Sequence, residues 1–530
     1  MVAFISTSTN IPEVKWHFWA GINLKNTPQV MGEEVRGLHL KLEKALENIL
    51  DDWLRLGRRL GANTSASFAH TPSCALNVSD LGIMLAWDHL VQGWVEGEKT
   101  VLVICDDPWL FRHFVSLGAQ AISSQPVLGW RTLYLWMRGV FSRTRVAIYA
   151  ILNMLLLRGQ RRSYPIASSA ILAYGHPAST TDGYDGYFGN LMREVPNLMR
   201  VLHVDCGYEK VRRLSKDGRT YSLHAWGSLW LALSLPLKRW RPRDENFPSR
   251  YLWLIRRAAA IEGSTGQAAA IGWQQICHNR WLAEALPNTV TWPWENHAWE
   301  RHFVAIARNF SVRTLGYQHT PFGRQDYGFS PISNPRGLDN VPDLILCCGQ
   351  ACQETLQDMG YPADRLLLSG SLRFLGFKPP AYDASGPVLF ALPYSAIGAV
   401  QMAEVANDMF GRGNRVLVKR HPMATKKLDQ AHPEIITNTL FQDLPGISAL
   451  VFANSSIGME AMFGGIPAIR FLPYGTLLLD ATPEGVKVQS AFAGDLEKEI
   501  KSTATPTPVN VDRFYGPVDF SLWNSLLACN

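Results

Sequence analysis

Apolar positions along the chain fall into short continuous runs separated by stretches of helical period. TVLVICDD (Thr100–Asp107), IASSAILAYG (Ile166–Gly175), RVLHVDCG, Thr289–Trp292 and VRTLGYQHT (Val312–Thr320) are apolar runs that end in polar turns, the signature of buried strands. Between them, residues 23–60 carry Leu38, Leu42, Leu46, Ile49, Leu50 and Leu54 at helical spacing, and 79–97, 268–286 and 297–309 read as further helices. Pro321–Pro342 is rich in Pro, Gly, Asn and Ser without an apolar period, which predicts a domain boundary there. Beyond it the alternation repeats: DLILCCG, helix 350–359, RLLLSGS, VLFALP, helix 396–410, RVLVKRHP, ALVFANSS, helix 457–463 and PAIRFL. Strands alternating with helices require crossover connections and hence parallel sheets covered on both faces. The expected fold class is α/β, with two Rossmann-like domains, 1–330 and 331–530, whose sheets face an interdomain cleft.

Composition narrows the picture. With 530 residues, 47% hydrophobic and 18% charged, the chain has the material for several cores and none of the bias of a disordered protein. Eight cysteines are too few for a disulfide scaffold, and the C-C-x3-C cluster at Cys347, Cys348 and Cys352 has no zinc-site spacing, so buried thiols are expected. A net charge of +6 is far short of a nucleic-acid coat. The opening residues lack a basic segment followed by an apolar run, so no signal peptide is read there. Residues 127–157 interleave Trp130, Trp136, Phe141 and Tyr149 with Arg131, Arg138, Arg143 and Arg145, the composition of a helix lying in a lipid headgroup layer or of a core helix with snorkelling arginines. The expected location is the cytoplasm, peripheral at the inner face of the membrane. Most of the 18 tryptophans are expected in the core.

Ligands of doubly wound sheets bind at the carboxyl ends of strands. One such end carries Lys419, Arg420, His421 and Pro422, with proline stopping the strand. The next carries Asn454, Ser455 and Ser456 directly before a helix, where hydroxyls and free N–H groups favour an anion. Together they predict a phosphate pocket. There is no G-x-x-x-x-G-K-[ST], no G-x-G-x-x-G after the first strand, no D-x-D, no H-E-x-x-H and no G-x-S-x-G, which sets aside P-loop, nicotinamide, metal–diphosphate, metalloprotease and serine-hydrolase chemistry.

The order K-R-H-P, then N-S-S-x-G-x-E-A-x-x-x-G-x-P-x-I (Asn454 to Ile469), resembles the C-terminal half of GT-B glycosyltransferases that use CMP-activated acidic sugars, the bacterial sialyltransferases and Kdo transferases. In the first half, D-G-Y-D-G-Y-F-G (Asp182–Gly189), W-E-N-H-A-W-E (Trp294–Glu300) and L-G-Y-Q-H-T (Leu315–Thr320) are similar to a bacterial surface-carbohydrate biosynthesis family. The resemblance implies that 1–330 binds the acceptor and 331–530 the donor. It places His421 on the donor phosphate and leaving CMP, Ser455 and Ser456 on the same phosphate, and Glu460 near the ribose. The family's acidic residue before glycine, the general base, has no direct counterpart. Asp182, Asp185 and Glu295 all remain candidates, because displacement at the anomeric carbon needs a base within reach of the acceptor hydroxyl. Gln318 and His319 end a strand facing the expected cleft.

The expectation is therefore a metal-independent, inverting glycosyltransferase that moves Kdo, a sialic acid or a related nonulosonate from its CMP conjugate to a lipopolysaccharide or capsule glycan. Its partners would be the nucleotide-sugar donor, a glycan or lipid-linked glycan acceptor and the membrane surface, with no nucleic acid. No cofactor or metal is expected, since a monophosphate leaving group asks less charge stabilisation than a diphosphate. Two alternatives stay open: a GT-B enzyme using a UDP- or GDP-sugar, as transferase or epimerase, and a catalytically silent subunit of a glycan assembly complex.

Overall fold

Among the described residues, apolar runs flanked by polar turns build three main parallel sheets and one two-stranded pair rather than the two sheets expected. The computed structural model describes residues 3–24, 30–96, 100–243, 247–376, 378–421, 430–503 and 509–528. The first sheet joins β1 (Ala3–Ser6), β2 (Trp16–Gly21), β3 (Gly32–Glu34), β4 (Val101–Ile104) and β5 (Gln120–Ala121) in the order β3-β2-β4-β1-β5. Here the single helix expected over 23–60 gives way to β3 and two helices, Leu38–Asn48 and Leu50–Gly61, after Gly37 turns the chain at φ 63°. Residues 25–29 of that expected helix lie outside the described residues. The strands β1 and β2 are too short and too aromatic to show a period of two.

The second sheet contains β6 (Ala170–Ala173), β7 (Met199–Leu202), β8 (Thr220–Ser222), β9 (Thr289–Pro293), β10 (Arg313–Gln318), β11 (Leu344–Cys347) and β12 (Leu366–Leu368), in the order β12-β11-β10-β9-β6-β7-β8. A short pair, β13 (Ala381–Tyr382) with β17 (Gly446–Ile447), precedes the third sheet. That sheet orders β14 (Val388–Ala391), β15 (Val416–Lys419), β16 (Ile436–Thr437), β18 (Ala449–Phe452), β19 (Ala468–Leu472) and β20 (Gln489–Phe492) as β16-β15-β14-β18-β19-β20. Counted within each sheet, both orders are the doubly wound 3-2-1-4-5-6, with a seventh strand added to the second sheet. Two Rossmann-type bodies in tandem make a GT-B-like α/β architecture, preceded by a third α/β body.

The boundary expected between 330 and 331 falls inside the second sheet. β10 pairs with β11 in parallel, Leu315 opposite Leu344 and Gln318 opposite Cys347. Pro321–Pro342 has a linker's composition but is a packed loop of 3-10 turns. Its carbonyls are gripped by Asn296 and by the buried Arg301, whose guanidinium reaches Ser333 Oγ at 3.0 Å and backbone oxygens of Asn296, Gly328 and Ser333. The passage to the third sheet comes after β12. The C-terminal segment then returns: the Gly516 N–H donates to Cys348 O at 2.8 Å, and Trp523 of helix Phe520–Leu527 packs edge-on against Tyr317.

The first body is locked to the third by charge. Arg470 of β19, almost fully buried, meets Glu43 of helix Leu38–Asn48 at 2.7 Å and Asp480 at 3.4 Å. Burial alone would raise the Glu43 carboxyl. The His39 and Arg470 side chains override that and hold it at about 2. Nine tryptophans, among them Trp53, Trp226, Trp281, Trp292 and Trp523, are fully buried, whereas Trp130, Trp136 and Trp230 are exposed. Cys347, Cys348 and Cys352 are buried, with the Cys348 and Cys352 sulfurs 3.4 Å apart.

Candidate active site

The switch point of the second sheet lies between β6 and β9, and the segments leaving its strands gather there. After β9 the chain turns through Trp294, Glu295, Asn296 and His297 into helix Ala298–Asn309. Asn296 sits at φ 56°, a conformation asparagine tolerates. Glu300 holds the turn: its buried carboxylate accepts the N–H groups of Glu295, Asn296 and His297 at 3.0, 3.1 and 3.2 Å and the Trp292 indole at 2.9 Å. W-E-N-H-A-W-E is thus a folding device whose final glutamate fixes the two groups before it. His297 Nε2 lies 2.8 Å from a Glu295 carboxylate oxygen. The imidazole is raised by this partner against burial, and the carboxyl is driven down to about 2, the His297 contact overriding burial.

Glu295 and His297 line a cavity of about 140 Å³ together with Gln318, His319, Asp326 and, from the first body, Asn77. Three residues lining it have a polar atom with no hydrogen-bond partner among the described residues, His297 Nδ1, Gln318 Oε1 and His319 Nδ1, although all three are more than nine-tenths buried. Unmet buried polar groups in a polar cavity mark the place of a polar ligand or water. Burial holds His319 down to about 4, so its ring is neutral at neutral pH, and Tyr187 stands edge-on to it at 5.1 Å. His70, also from the first body, packs against His297 at 5.3 Å and is held at about 3, mainly by burial. Asp326 goes the other way: burial pushes its carboxyl up to about 7, with Glu295 and Asp480 adding to the rise, and its one resolved bond is from Gly323 N at 2.7 Å.

The two aspartates proposed as bases are occupied elsewhere. Asp185 is wholly buried and accepts Ser179 Oγ and the N–H groups of Tyr187 and Phe188, with Arg200 at 3.7 Å, so it shapes the loop after β6. Asp182 is exposed and tied to Arg193 and Thr180. Neither lines the cavity; Glu295 does.

On the third body, His421 follows β15 with its ring 5.9 Å from that of Tyr394, and burial keeps its imidazole below the usual range. Lys419 turns to the sheet edge instead, donating to Thr439 O at 2.6 Å, so the basic cluster offers fewer cations to a ligand than its sequence suggests. Arg420 is half-buried, and Pro422 lies outside the described residues. After β18, Asn454, Ser455 and Ser456 are half-buried. Ser455 Oγ accepts Ile457 N at 3.4 Å, and Ser456 Oγ donates to Glu460 at 3.2 Å. Burial raises the Glu460 carboxyl. The helix here, Ile457–Phe463, has only seven residues, which makes its dipole a small contributor.

One residue that the sequence reading passed over connects the two bodies. Arg373, exposed five residues beyond the end of β12, acts electrostatically, behind the larger effect of burial, on His176, Tyr187 and His319 of the second body and on Glu460 of the third. Its sequence signal is a cation just past a strand end in S-G-S-L-R, but composition places that strand in the second domain, whereas it is the edge strand of the second sheet. His70, His297, Arg301 and Asp326 were also missed as site residues. Three of them lie outside any motif, and His297 stood within one without a partner to identify it.

No protein-family model matches this chain, and no curated protein matches it significantly. Among solved structures it is similar to a UDP-N-acetylglucosamine 2-epimerase from Rickettsia bellii, at 14% identity over 68% of this chain and 94% of that one, with a TM-score of 0.39. It is also similar to S. aureus MnaA in a co-structure with UDP, at 10% identity over 66% and 93% with a TM-score of 0.39. The lipopolysaccharide outer core galactosyltransferase WaaB matches at 12% identity over 68% and 99% with a TM-score of 0.33.

Proposed function

We propose that this protein is a glycosyltransferase that takes its sugar from a nucleotide-linked donor, with the donor on the third body and the acceptor hydroxyl in the cavity of the second. The observation that carries this reading is the cavity at the strand ends of the second sheet, with its unmet buried polar atoms, together with Arg373, whose charge acts on His319 of the second body and Glu460 of the third. In this reading His421, Ser455 and Ser456 meet the donor phosphate and Arg373 faces the charge that develops as the nucleotide leaves. Glu460 receives the ribose.

Two cavity carboxylates differ in what they can do with a proton. A base works best with a pKa near the working pH. Glu295, held at about 2 by His297, is a fixed charge, whereas Asp326, near 7, accepts the acceptor's proton. Attack from the cavity on a donor held opposite gives inversion at the anomeric carbon. A histidine and two hydroxyls suit a single phosphate, which supports a CMP-linked acidic sugar as the donor; the acceptor in this reading is a bacterial surface glycan.

Arg373 favours a second reading, a UDP- or GDP-linked sugar, because it adds a cation suited to a diphosphate. Thermal unfolding with CMP, UDP and GDP, with and without magnesium, separates them, since a ligand that binds the folded state raises Tm by mass action. Preference for CMP without magnesium supports the first reading and preference for UDP or GDP the second. No shift with any of the three overturns both and leaves a silent assembly subunit.

A further inference from the structure

Helix Leu128–Leu157 has 30 residues, ~45 Å at 1.5 Å per residue. Its length and apolar composition suit a membrane span. Its packing does not. Leu135, Gly139, Arg143, Ala147, Ala150, Met154 and Leu157 recur every three or four residues and are buried against the protein along most of the helix. Arg143 staples this face, donating to Pro236 O at 2.9 Å and to Gly263 O. A helix so attached along its length lies on the protein rather than leaving it.

The opposite face is apolar and open. Trp130 is 73% exposed and Phe141 72%, and Tyr134, Met137, Ile148 and Leu152 continue the same stripe. The segment Leu229–Leu237 packs beside the helix and extends it, with Trp230 80% and Leu237 75% exposed. The charge pattern is one-sided. From Pro108 to Thr181 there is no Asp or Glu and there are eight arginines, including the exposed Arg131, Arg138, Arg145 and Arg158. From Gly218 to Arg243 there is again no acid, and Lys238, Arg239, Arg241 and Arg243 close the segment. Indole and phenyl rings amid guanidinium groups match the apolar–anionic boundary of a bilayer, where each cation near an anionic surface adds to binding.

We infer that helix Leu128–Leu157 and the segment Leu229–Arg243 together form one docking surface for an anionic lipid bilayer, lying in its headgroup layer parallel to the membrane plane. None of these residues lines the cavity of Glu295 and Asp326, so the inference does not depend on how that cavity is read.

Flotation of the full chain with vesicles tests this. The protein floats with phosphatidylglycerol–phosphatidylethanolamine vesicles and at least tenfold less with phosphatidylcholine alone. The triple variant Trp130→Ser, Phe141→Ser, Trp230→Ser and the triple variant Arg131→Gln, Arg138→Gln, Arg145→Gln each reduce binding about tenfold or more. All six side chains are exposed, so both variants keep the wild-type melting curve. Three outcomes would overturn the inference: no flotation on any vesicle, flotation that both triples leave intact, or a stable dimer in solution that the apolar triple dissociates, which would make a second copy the occupant.

Discussion

Glu295 and Asp326 line one cavity, yet their surroundings drive the two carboxyls in opposite directions, Glu295 down to about 2 beside His297 and Asp326 up to about 7 by burial. Part of the Asp326 rise comes from the negative charge of Glu295 itself. Burial is the larger cause, and a permanently ionised neighbour adds to it, bringing the proton affinity of Asp326 near the value a general base needs.

This relation sets a pH profile. kcat/KM falls below about pH 7 with the slope of one proton, as Asp326 becomes protonated and can no longer accept one. Glu295→Gln removes a negative charge, so the Asp326 pKa drops and the acid limb moves to lower pH. A pH–rate series on wild type and variant checks the direction, and a limb that stays in place contradicts the assignment.

Arg301 predicts a stability effect. It is a buried guanidinium bonded to carbonyls and Ser333, and it ties the turn after β9 to the loop 328–333. Arg301→Ala leaves those oxygens unmet and opens a hole, a loss of about 3 kcal/mol by denaturant unfolding.

How much of this was legible in the sequence can be argued from particular elements. β9, β10, β14, β15, β18 and β19 were read with ends correct within two or three residues, because buried parallel strands are continuous apolar runs bounded by polar turns. The loop 321–342 was misjudged because composition reports turns, not whether their carbonyls are captured, and Arg301, which captures them, is distant in the chain. The first sheet stayed hidden in Ala3–Ser6 and Trp16–Gly21. Glu295, Gln318 and His319 were placed at strand ends by sequence alone. Asp326 needed the fold, since nothing local distinguishes a cavity aspartate from a turn former, and Arg373 needed its strand placed in the second sheet.

The contact between the first and third bodies rests on Arg470. Arg470→Met strips Glu43 and Asp480 of their shared cation in a buried setting, costing about 3 kcal/mol. Replacing all three by apolar residues is expected to recover much of that loss. Chemical denaturation of the single and triple variants checks the order.

His70 gives a pH-linked stability effect. Its folded pKa of about 3 lies below the usual ~6.5, so the unfolded chain binds the proton first. The folded state is then undisturbed above pH 6.5 and loses stability as pH falls from 6.5 towards 3, by at most about 2 kcal/mol at pH 5. His70→Gln shrinks the fall in Tm between pH 7 and pH 5 relative to wild type. An unchanged fall shows that His70 is not held neutral.

The most direct test of the central claim measures nucleotide release from the donor that the thermal panel selects, using wild type, His421→Ala and Asp326→Asn with membranes supplying native acceptors. One variant lies on each Rossmann-type body. The account predicts that both lose a hundredfold or more in turnover while melting as wild type does, because a donor-phosphate contact and a proton acceptor serve one reaction across one cleft. Turnover within tenfold of wild type in either variant contradicts it.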